Sequence, residues 1–447
     1  MVDLSTLNPQ QYEAATNTFN TNAVVLAGAG SGKCIEGNSY IYTNKGMIKI
    51  KDIPKYFPVD TDNNCNAIVK SIDSSKMVNN TTSKFYNMGM SKTIKIRTSQ
   101  GYTLEGTPEH PVIILNNDGN LEFKKLLDIK HSDYIAICTN INLWGTDNRV
   151  DEELAYIIGL LIGDGYLKRE GGFISFSNSN ENIYNVYNDY INKQEITVRK
   201  NEKKYRKTKD WSFSNIKFKT TLKGLGLDMV TAEFKSIPYT ILQSPKEVVI
   251  KCLQGLFDTD GTADIGRHIV EYCSKSFELI NQIQLLLLNL GVTSRVKVRK
   301  VNKYPNNLYY YLYISGSSVR TFKSTVGFLN AKDKAYKLNV IVNKMSNDNI
   351  KVFPNQSNRI KAIRQKCIGK PYYNGNKSLL HNSFVSISVK DYASGKRNLT
   401  VNSTNNLLSI LDFEDDNTKY LKDLANNFFI DKIADISYSE NIVYDFT

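Results

Sequence analysis

Reactive side chains stand at spacings that suit two separate chemistries. A thiol, Cys34, directly follows Lys33, and "GYTLEGTPEHPV" further on carries Thr107-x-x-His110. These groups can move an acyl chain. The thiolate attacks the Lys33 carbonyl, the Cys34 nitrogen needs a proton to leave, and the carbonyl oxygen needs a donor as it becomes tetrahedral. The second chemistry rests on Asp164 and Asp260, each closing an apolar run at Gly-Asp-Gly or Thr-Asp-Gly. Two carboxylates beside a phosphodiester can bind Mg²⁺ and activate water.

These residues need elements to hold them. Thr107 and His110 fall between strand-like runs, "TIKIRTSQGYTLEG" and "PVIIL". The carboxylates fall at the ends of two helical runs, "LAYIIGLLIGDGYL" (Leu154 to Leu167) and "IKCLQGLFDTDGTA" (Ile250 to Ala263). Gly159, Gly163 and Gly255 would let the two helices approach closely. A Ser-bearing strand and an amphipathic helix follow each run, and "FKTTLKGLG" from Phe218 is echoed by "FKSTVGFLN" from Phe322. The offset of about 96 residues implies two similar halves. Basic stretches, "VRKNEKKYRKTKDWSFS" (Val198 to Ser214) and "SRVKVRKVNKY" (Ser294 to Tyr304), stand at corresponding places. Val296-Lys297-Val298-Arg299 alternates like a strand that could lie in a DNA major groove.

Cys34 also breaks another motif. "VVLAGAGSGK" has the strand-then-loop order of a phosphate-binding loop, in which backbone N–H groups and Lys33 cradle phosphates. The next residue should be Ser or Thr to ligate Mg²⁺, and a thiol is a poor ligand for so hard a cation. With "LNPQQYEA" upstream, residues 4 to 33 resemble the start of UvrD-like DNA helicases. That resemblance implies an ATP site of Gln11, which reads adenine, with Gly30, Gly32 and Lys33, formed only in the uninterrupted helicase. A continuing P-loop needs a helix after Lys33, whereas "CIEGNSYIYTNKGMIKIKDI" reads as short β-type runs.

Cys34 opening "CIEG", followed by "GYTLEGTPEHP" at this distance, resembles the Hint splicing domain of inteins, which excise themselves from a host protein. "FFIDKIADISYSENIVYDFT" (Phe428 to Thr447) resembles the penultimate block of that family. The resemblance implies that Cys34, Thr107 and His110 serve the first step and that Asp445 couples it to later ones. In the family a His, an apolar strand and His-Asn then precede a host Cys, Ser or Thr, so a C-terminal extein is needed to splice. The sequence stops at Thr447, before these, so the first step is expected and completion is not. A competing assignment puts the terminal block at His381-Asn382-Ser383. It leaves the Asp445 block in the wrong order and lacks the helix that a resumed P-loop requires.

The duplicated segment resembles a single-chain LAGLIDADG homing endonuclease. This implies Asp164 and Asp260 as metal-binding acids, Lys235 in "KSIP" as a lysine near the metal, and a divalent cation such as Mg²⁺ as cofactor. Splicing itself would need none. Asp258 falls where the family uses no metal ligand, and His268, Cys252 and Cys273 read as structural. The implied target is double-stranded DNA, the uninterrupted helicase gene near its P-loop codons.

Composition agrees with a nucleic-acid partner: among 447 residues the net charge is +13 and the pI about 9.1. Six Cys with no C-x-x-C pair, no apolar leader and no apolar run of ~18 residues point to an intracellular, non-secreted chain with no membrane partner, expected as a monomer. The expected architecture is multidomain. Residues 1–33 are the helicase start, and an all-β Hint horseshoe is divided between 34–148 and 415–447. An α/β pseudo-twofold LAGLIDADG unit occupies 149–345, in repeats 149–247 and 248–345, and 346–414 form a linker or helical region. Two alternatives are a working helicase, for which 33 residues are too few, and a splicing-dead chain acting only as an endonuclease or a DNA- or RNA-binding protein. Loss of nicking on removing Mg²⁺ or either aspartate separates an endonuclease from a binder.

Overall fold

The computed structural model describes residues 33–73, 76–201, 209–227, 230–301, 304–344, 351–367 and 389–446. Gln11, Gly30, Gly32 and the competing His381-Asn382-Ser383 block lie outside them. No helix follows Lys33. Cys34 leads into β1 (Ile35–Glu36), and the strands continue as β2 (Tyr40–Thr43), β3 (Gly46–Lys49), β4 (Ile68–Asp73) and β5 (Lys76–Thr81). Then come β6 (Phe85–Thr98), β7 (Thr103–Gly106), β8 (Pro111–Leu115), β9 (Leu121–Lys125) and β10 (Tyr134–Cys138).

The larger sheet of this β-rich unit is completed from far away in sequence. Its seven strands run β1, β7, β6, β19, β10, β8, β9, where β19 is Phe428–Phe446. At 19 residues β19 is well beyond the usual 3–10. It stays ordered because it is flanked along its length, pairing with β10 from Phe428 to Lys432 and with β6 from Ile433 to Phe446. Ile94, Ile96, Val112, Ile114, Ile135 and Ile433 form the core on one side. β2 to β5 make a second sheet, in the order β3, β2, β4, β5.

The duplicated unit follows the expected order twice. The first copy is α1 (Glu152–Asp164), β11 (Gly165–Leu167), β12 (Phe173–Asn178), α2 (Glu181–Lys193), β13 (Arg199–Asn201), β14 (Lys209–Ser214) and α3 (Ile216–Gly224). The second is α4 (Lys246–Asp260), β15 (Gly261–Asp264), β16 (Ile269–Ser274), α5 (Phe277–Asn289), β17 (Arg295–Val301), β18 (Tyr304–Ile314) and α6 (Ser317–Thr325), with α7 (Lys332–Lys344) after it. The sheets have matching orders, β11-β12-β14-β13 and β15-β16-β18-β17. Asp151 caps α1 by accepting from the Leu154 N–H at 2.7 Å, and Glu152 and Glu153 suit the positive end of the dipole.

α1 and α4 cross in direct backbone contact. A Cβ on Gly159 would come within 2.3 Å of the Cys252 carbonyl oxygen, and one on Gly255 within 2.4 Å of the Tyr156 oxygen. At Gly163 it would sit 2.0 Å from the Thr259 hydroxyl. Around this crossing one core joins both copies: Ile158, Leu160 and Leu161 from α1, Leu253, Leu256 and Phe257 from α4, and the inner sheet residues Ile174, Phe176, Trp211, Val270, Tyr272 and Leu312.

The described residues within 351–427 bear α8 (Ser357–Cys367), α9 (Val401–Ser409) and α10 (Asp416–Asn427). Ile360, Ile363, Leu407, Leu421 and Leu424 pack with Leu115, Phe428 and Ile430 against the larger sheet. Asp415 caps α10 in a capping box with Thr418, in keeping with the acidic start of that stretch. α10 passes straight into β19. Among the described residues no helix is long and apolar enough to cross a membrane.

The glycine crossing is directly testable. Gly159→Val should lower unfolding stability in urea by about 2–3 kcal/mol or prevent folding, as overpacking against rigid backbone does. Gly224→Ala, at a helical position with open space around it, should be neutral or slightly stabilising.

Candidate functional sites

The Lys33–Cys34 peptide is held on both faces. β1 lies between β7 and β19, with Ile35 opposite both Gly106 and Tyr444. This brings Cys34 against the β7–β8 turn. The Cys34 amide donates to the Thr107 hydroxyl at 3.0 Å, and the Thr107 amide donates to the Cys34 carbonyl at 2.9 Å. His110 Nδ1 lies 2.9 Å from the Lys33 carbonyl oxygen. A carbonyl only accepts, so Nδ1 carries the proton. Gly106 is forced by this packing, because a Cβ there would fall 2.7 Å from the Cys34 oxygen and 3.2 Å from His110 Cβ.

The electrostatics are those of a dry site. Burial, and then the charge of Asp445, push the Cys34 thiol up to about 11. His110 is held below its ordinary value by burial, against the opposing hydrogen bond to the Lys33 carbonyl. It is therefore neutral near pH 7. Asp445 follows a break in the β19–β6 register between Val443 and Tyr444 and is only 4% exposed. Its carboxyl is raised, chiefly by burial, and its Oδ2 has no hydrogen-bond partner among the described residues.

The second site lies where α1 and α4 end. Asp164 and Asp260 terminate the crossing helices, close enough that the charge of Asp164 bears on Asp260. Asp260 is pushed up to about 6 by burial and then by the charge of Asp164. Asp164 is also raised by burial, and it accepts from Asn178 Nδ2 at 2.6 Å. Lys235 sits on the C-terminal carbonyls of α1, its Nζ donating to Ile162 at 2.5 Å and Gly163 at 2.8 Å. Lys334 does the same on α4, reaching the carbonyls of Asp258 at 2.7 Å and Thr259 at 2.8 Å. Cations are favoured at such helix ends. Burial lowers both lysines, and the two carboxylates oppose that shift.

Lys334 and Asn178 did not stand out in the sequence. Lys334 follows Asp260 at nearly the separation at which Lys235 follows Asp164, a signal the duplication offered. Asp258 is structural: 1% exposed, it accepts from Tyr156 Oη at 2.7 Å and from the amides of Leu329, Asn330 and Ala331. His268 is an exposed turn residue with positive φ, and Cys252 is wholly buried.

Among the described residues no three His, Cys, Asp or Glu side chains cluster to hold a metal ion. The paired carboxylates still suit a hard divalent cation, which commonly takes one or two carboxylates and fills its shell with phosphate oxygens and water. Their repulsion, and the buried Tyr272 hydroxyl beside Asp260 that their charges disfavour ionising, fit a group that brings positive charge.

The outer faces of the two sheets differ. On the second, pairing aligns Arg295 with Tyr313, Lys297 with Tyr311 and Arg299 with Tyr309, and the Arg299 guanidinium lies 5.3 Å from the Tyr311 ring centre. On the first, Ser175 faces Ser212 and Ser177 faces Asp210, with exposed Arg199 at the edge. The alternation read along β17 is only half kept. Val296 packs against the core, but Val298 is 52% exposed on β17, an edge strand.

Comparison with known proteins places the duplicated unit. A replication factor C small subunit from Methanocaldococcus jannaschii is 27% identical over 345 residues, 75% of this chain, which spans only 18% of that relative's length. A crystal structure of I-DmoI in complex with DNA and Mn is similar over 39% of this chain and 96% of its own, at 20% identity and a TM-score of 0.29. The TvoVMA intein structure is similar over 24% of this chain and 71% of its own, at 23% identity and a TM-score of 0.22. Residues 151–223 and 247–327, the two copies of the repeat, match the LAGLIDADG-like domain family, and the chain therefore carries a LAGLIDADG-like domain.

Proposed function

We propose that the chain is an intein whose β-rich unit is a Hint splicing domain, inserted in the P-loop of a UvrD-like helicase and carrying a metal-dependent, site-specific DNA endonuclease. The observation that carries the splicing half is the grip on one peptide bond, the Lys33 carbonyl by His110 and the Cys34 amide by Thr107. In the first step Cys34 Sγ bonds to the Lys33 carbonyl carbon and the C–N bond breaks. The thiol proton finishes on the released Cys34 amine. The His110 Nδ1–H stabilises the oxygen as negative charge develops, and Thr107 fixes the amide. Asp445, buried near the thiol with an oxygen that has no partner among the described residues, is suited to receive the proton in transit. Later steps need a C-terminal extein.

For the nuclease half, Asp164 and Asp260 would hold the cation, which when bound would polarise the scissile phosphate and activate water. Lys235 and Lys334 bring positive charge toward the same seam, and the basic and aromatic sheet faces would lie along duplex DNA. The reading assigns the protein as an intracellular monomer whose target is the uninterrupted helicase gene near the P-loop codons. ATP would bind only the rejoined host helicase, through Gln11, Gly30, Gly32 and Lys33.

Two experiments test this reading. Incubated with excess thiol, the chain should release residues 1–33, giving a fragment that starts at Cys34 by intact mass. Because the Cys34 pKa is pushed up to about 11, the thiolate fraction, and with it the rate, should rise about tenfold per pH unit from roughly pH 7 to 9. His110→Ala should slow release by roughly 10²-fold. No release from a folded chain would refute the splicing role.

A plasmid bearing the uninterrupted P-loop codons should be linearised with Mg²⁺ and left intact with EDTA. Asp164→Asn and Asp260→Asn should each abolish cleavage. Asp260→Asn should also raise the Tm of the metal-free chain, by only about 1–2 °C at about pH 8 because the residue is exposed at the surface. The folded pKa of Asp260 lies above its unfolded one, so the cost of ionising it is full above about pH 6 and gone near pH 4. The Tm gain should vanish over that interval.

A further inference from the structure

The β-rich unit does more than sit beside the duplicated unit, because it grips the helix that holds the Lys235 segment. α5 presents one face to β2 and β3. Tyr40 Oη donates to Glu278 at 2.6 Å, Lys49 pairs with Glu278 at 2.7 Å, and Tyr42 Oη donates to the Leu285 carbonyl at 2.8 Å. From the same helix Gln282, 2% exposed, donates to Tyr40 Oη at 2.8 Å and accepts the Ile237 amide at 2.7 Å. Ser276, the N-cap of α5, donates to the Lys235 carbonyl at 2.6 Å. The Lys235 backbone is thus fixed from α5, while its ammonium is fixed by the end of α1.

We propose that Tyr40, a residue of the β-rich unit, is a positioning residue for the nuclease centre, acting through Gln282 and Ile237 on the placement of Lys235. The proposal rests on the endonuclease reading above. A buried amide has both ends to satisfy, and Gln282 meets this by standing between a tyrosine of one unit and a main-chain N–H of the other. Without the Tyr40 hydroxyl the carboxamide nitrogen keeps only its long 3.5 Å contact to the Ile237 carbonyl and can turn, which loosens the Ile237 amide held by its oxygen. The β-rich unit would then be a working part of the endonuclease and not merely its carrier.

The test uses the full chain with Tyr40→Phe and Gln282→Met, and with Tyr42→Phe as a control that breaks a contact between the same units away from this link. Without DNA, amide exchange over residues 235–237 should quicken by about 3- to 10-fold in the first two variants and stay unchanged in the control. On a duplex that the unsubstituted chain cuts, Tyr40→Phe should slow cleavage at saturating DNA by about 3- to 10-fold with Kd for DNA unchanged. In a Lys235→Met background, Tyr40→Phe should add no further loss. Unchanged exchange in both variants overturns the proposal. So does faster exchange with full cleavage, or a loss that persists undiminished in the Lys235→Met background. A chain that cuts no duplex overturns the endonuclease reading instead, and exchange still decides whether Tyr40 holds the Lys235 segment.

Discussion

The pairing of β19 with β6 is the constraint from which the rest of the β-rich unit follows. Two stretches separated by more than three hundred residues lie side by side from Ile433 to Phe446, and β1 is clamped at the end of that ribbon. Remove the pairing and the Cys34 peptide loses its wall, Asp445 loses its burial, and helices α8 to α10 lose the sheet they cover. Such non-local contacts require long loops to close before any reward is gained. The intervening LAGLIDADG-like unit shortens the effective loop by folding around its own helix crossing, with neighbouring strands and helices drawn mostly from adjacent sequence.

At that crossing the physics is steric. Glycine is costly inside a helix, yet three of them stand at the α1–α4 contact because nothing larger fits. The close approach delivers two carboxylates to one seam, where burial and mutual repulsion disfavour ionising both. The lysines on the helix ends answer part of that charge. A pair so arranged is poor for metal-free stability and well suited to a cation, a trade commonly found where chemistry overrides packing.

Much of this was readable beforehand, and the boundary is instructive. The duplicated helices announced themselves through apolar runs ending at Gly-Asp-Gly and Thr-Asp-Gly, since a helical period and its terminator are local properties. The turn carrying Thr107 and His110 was legible for the same reason. Which of them meets the carbonyl and which the amide was not, because that depends on how β7 and β1 pair. Lys334 was hidden in a helix rich in other lysines, where only its distance from Asp260 distinguishes it. Residues 351–427, full of Asn and Ser, gave little periodicity, and their helices are fixed by packing on the sheet. The Tyr40 link joins residues more than two hundred positions apart, beyond any local signal.

The two sheets share their strand order, yet their described residues carry different surfaces: serines, an aspartate and an edge arginine on one, arginines, a lysine and tyrosines on the other. Duplication gave the chain two equal frames, and having both in one polypeptide released each from the need to match its twin. A ligand with dyad symmetry would therefore meet hydroxyls with a single edge guanidinium on one side and stacked cations on the other, as far as the described residues go. The surface is built for an object whose two ends differ.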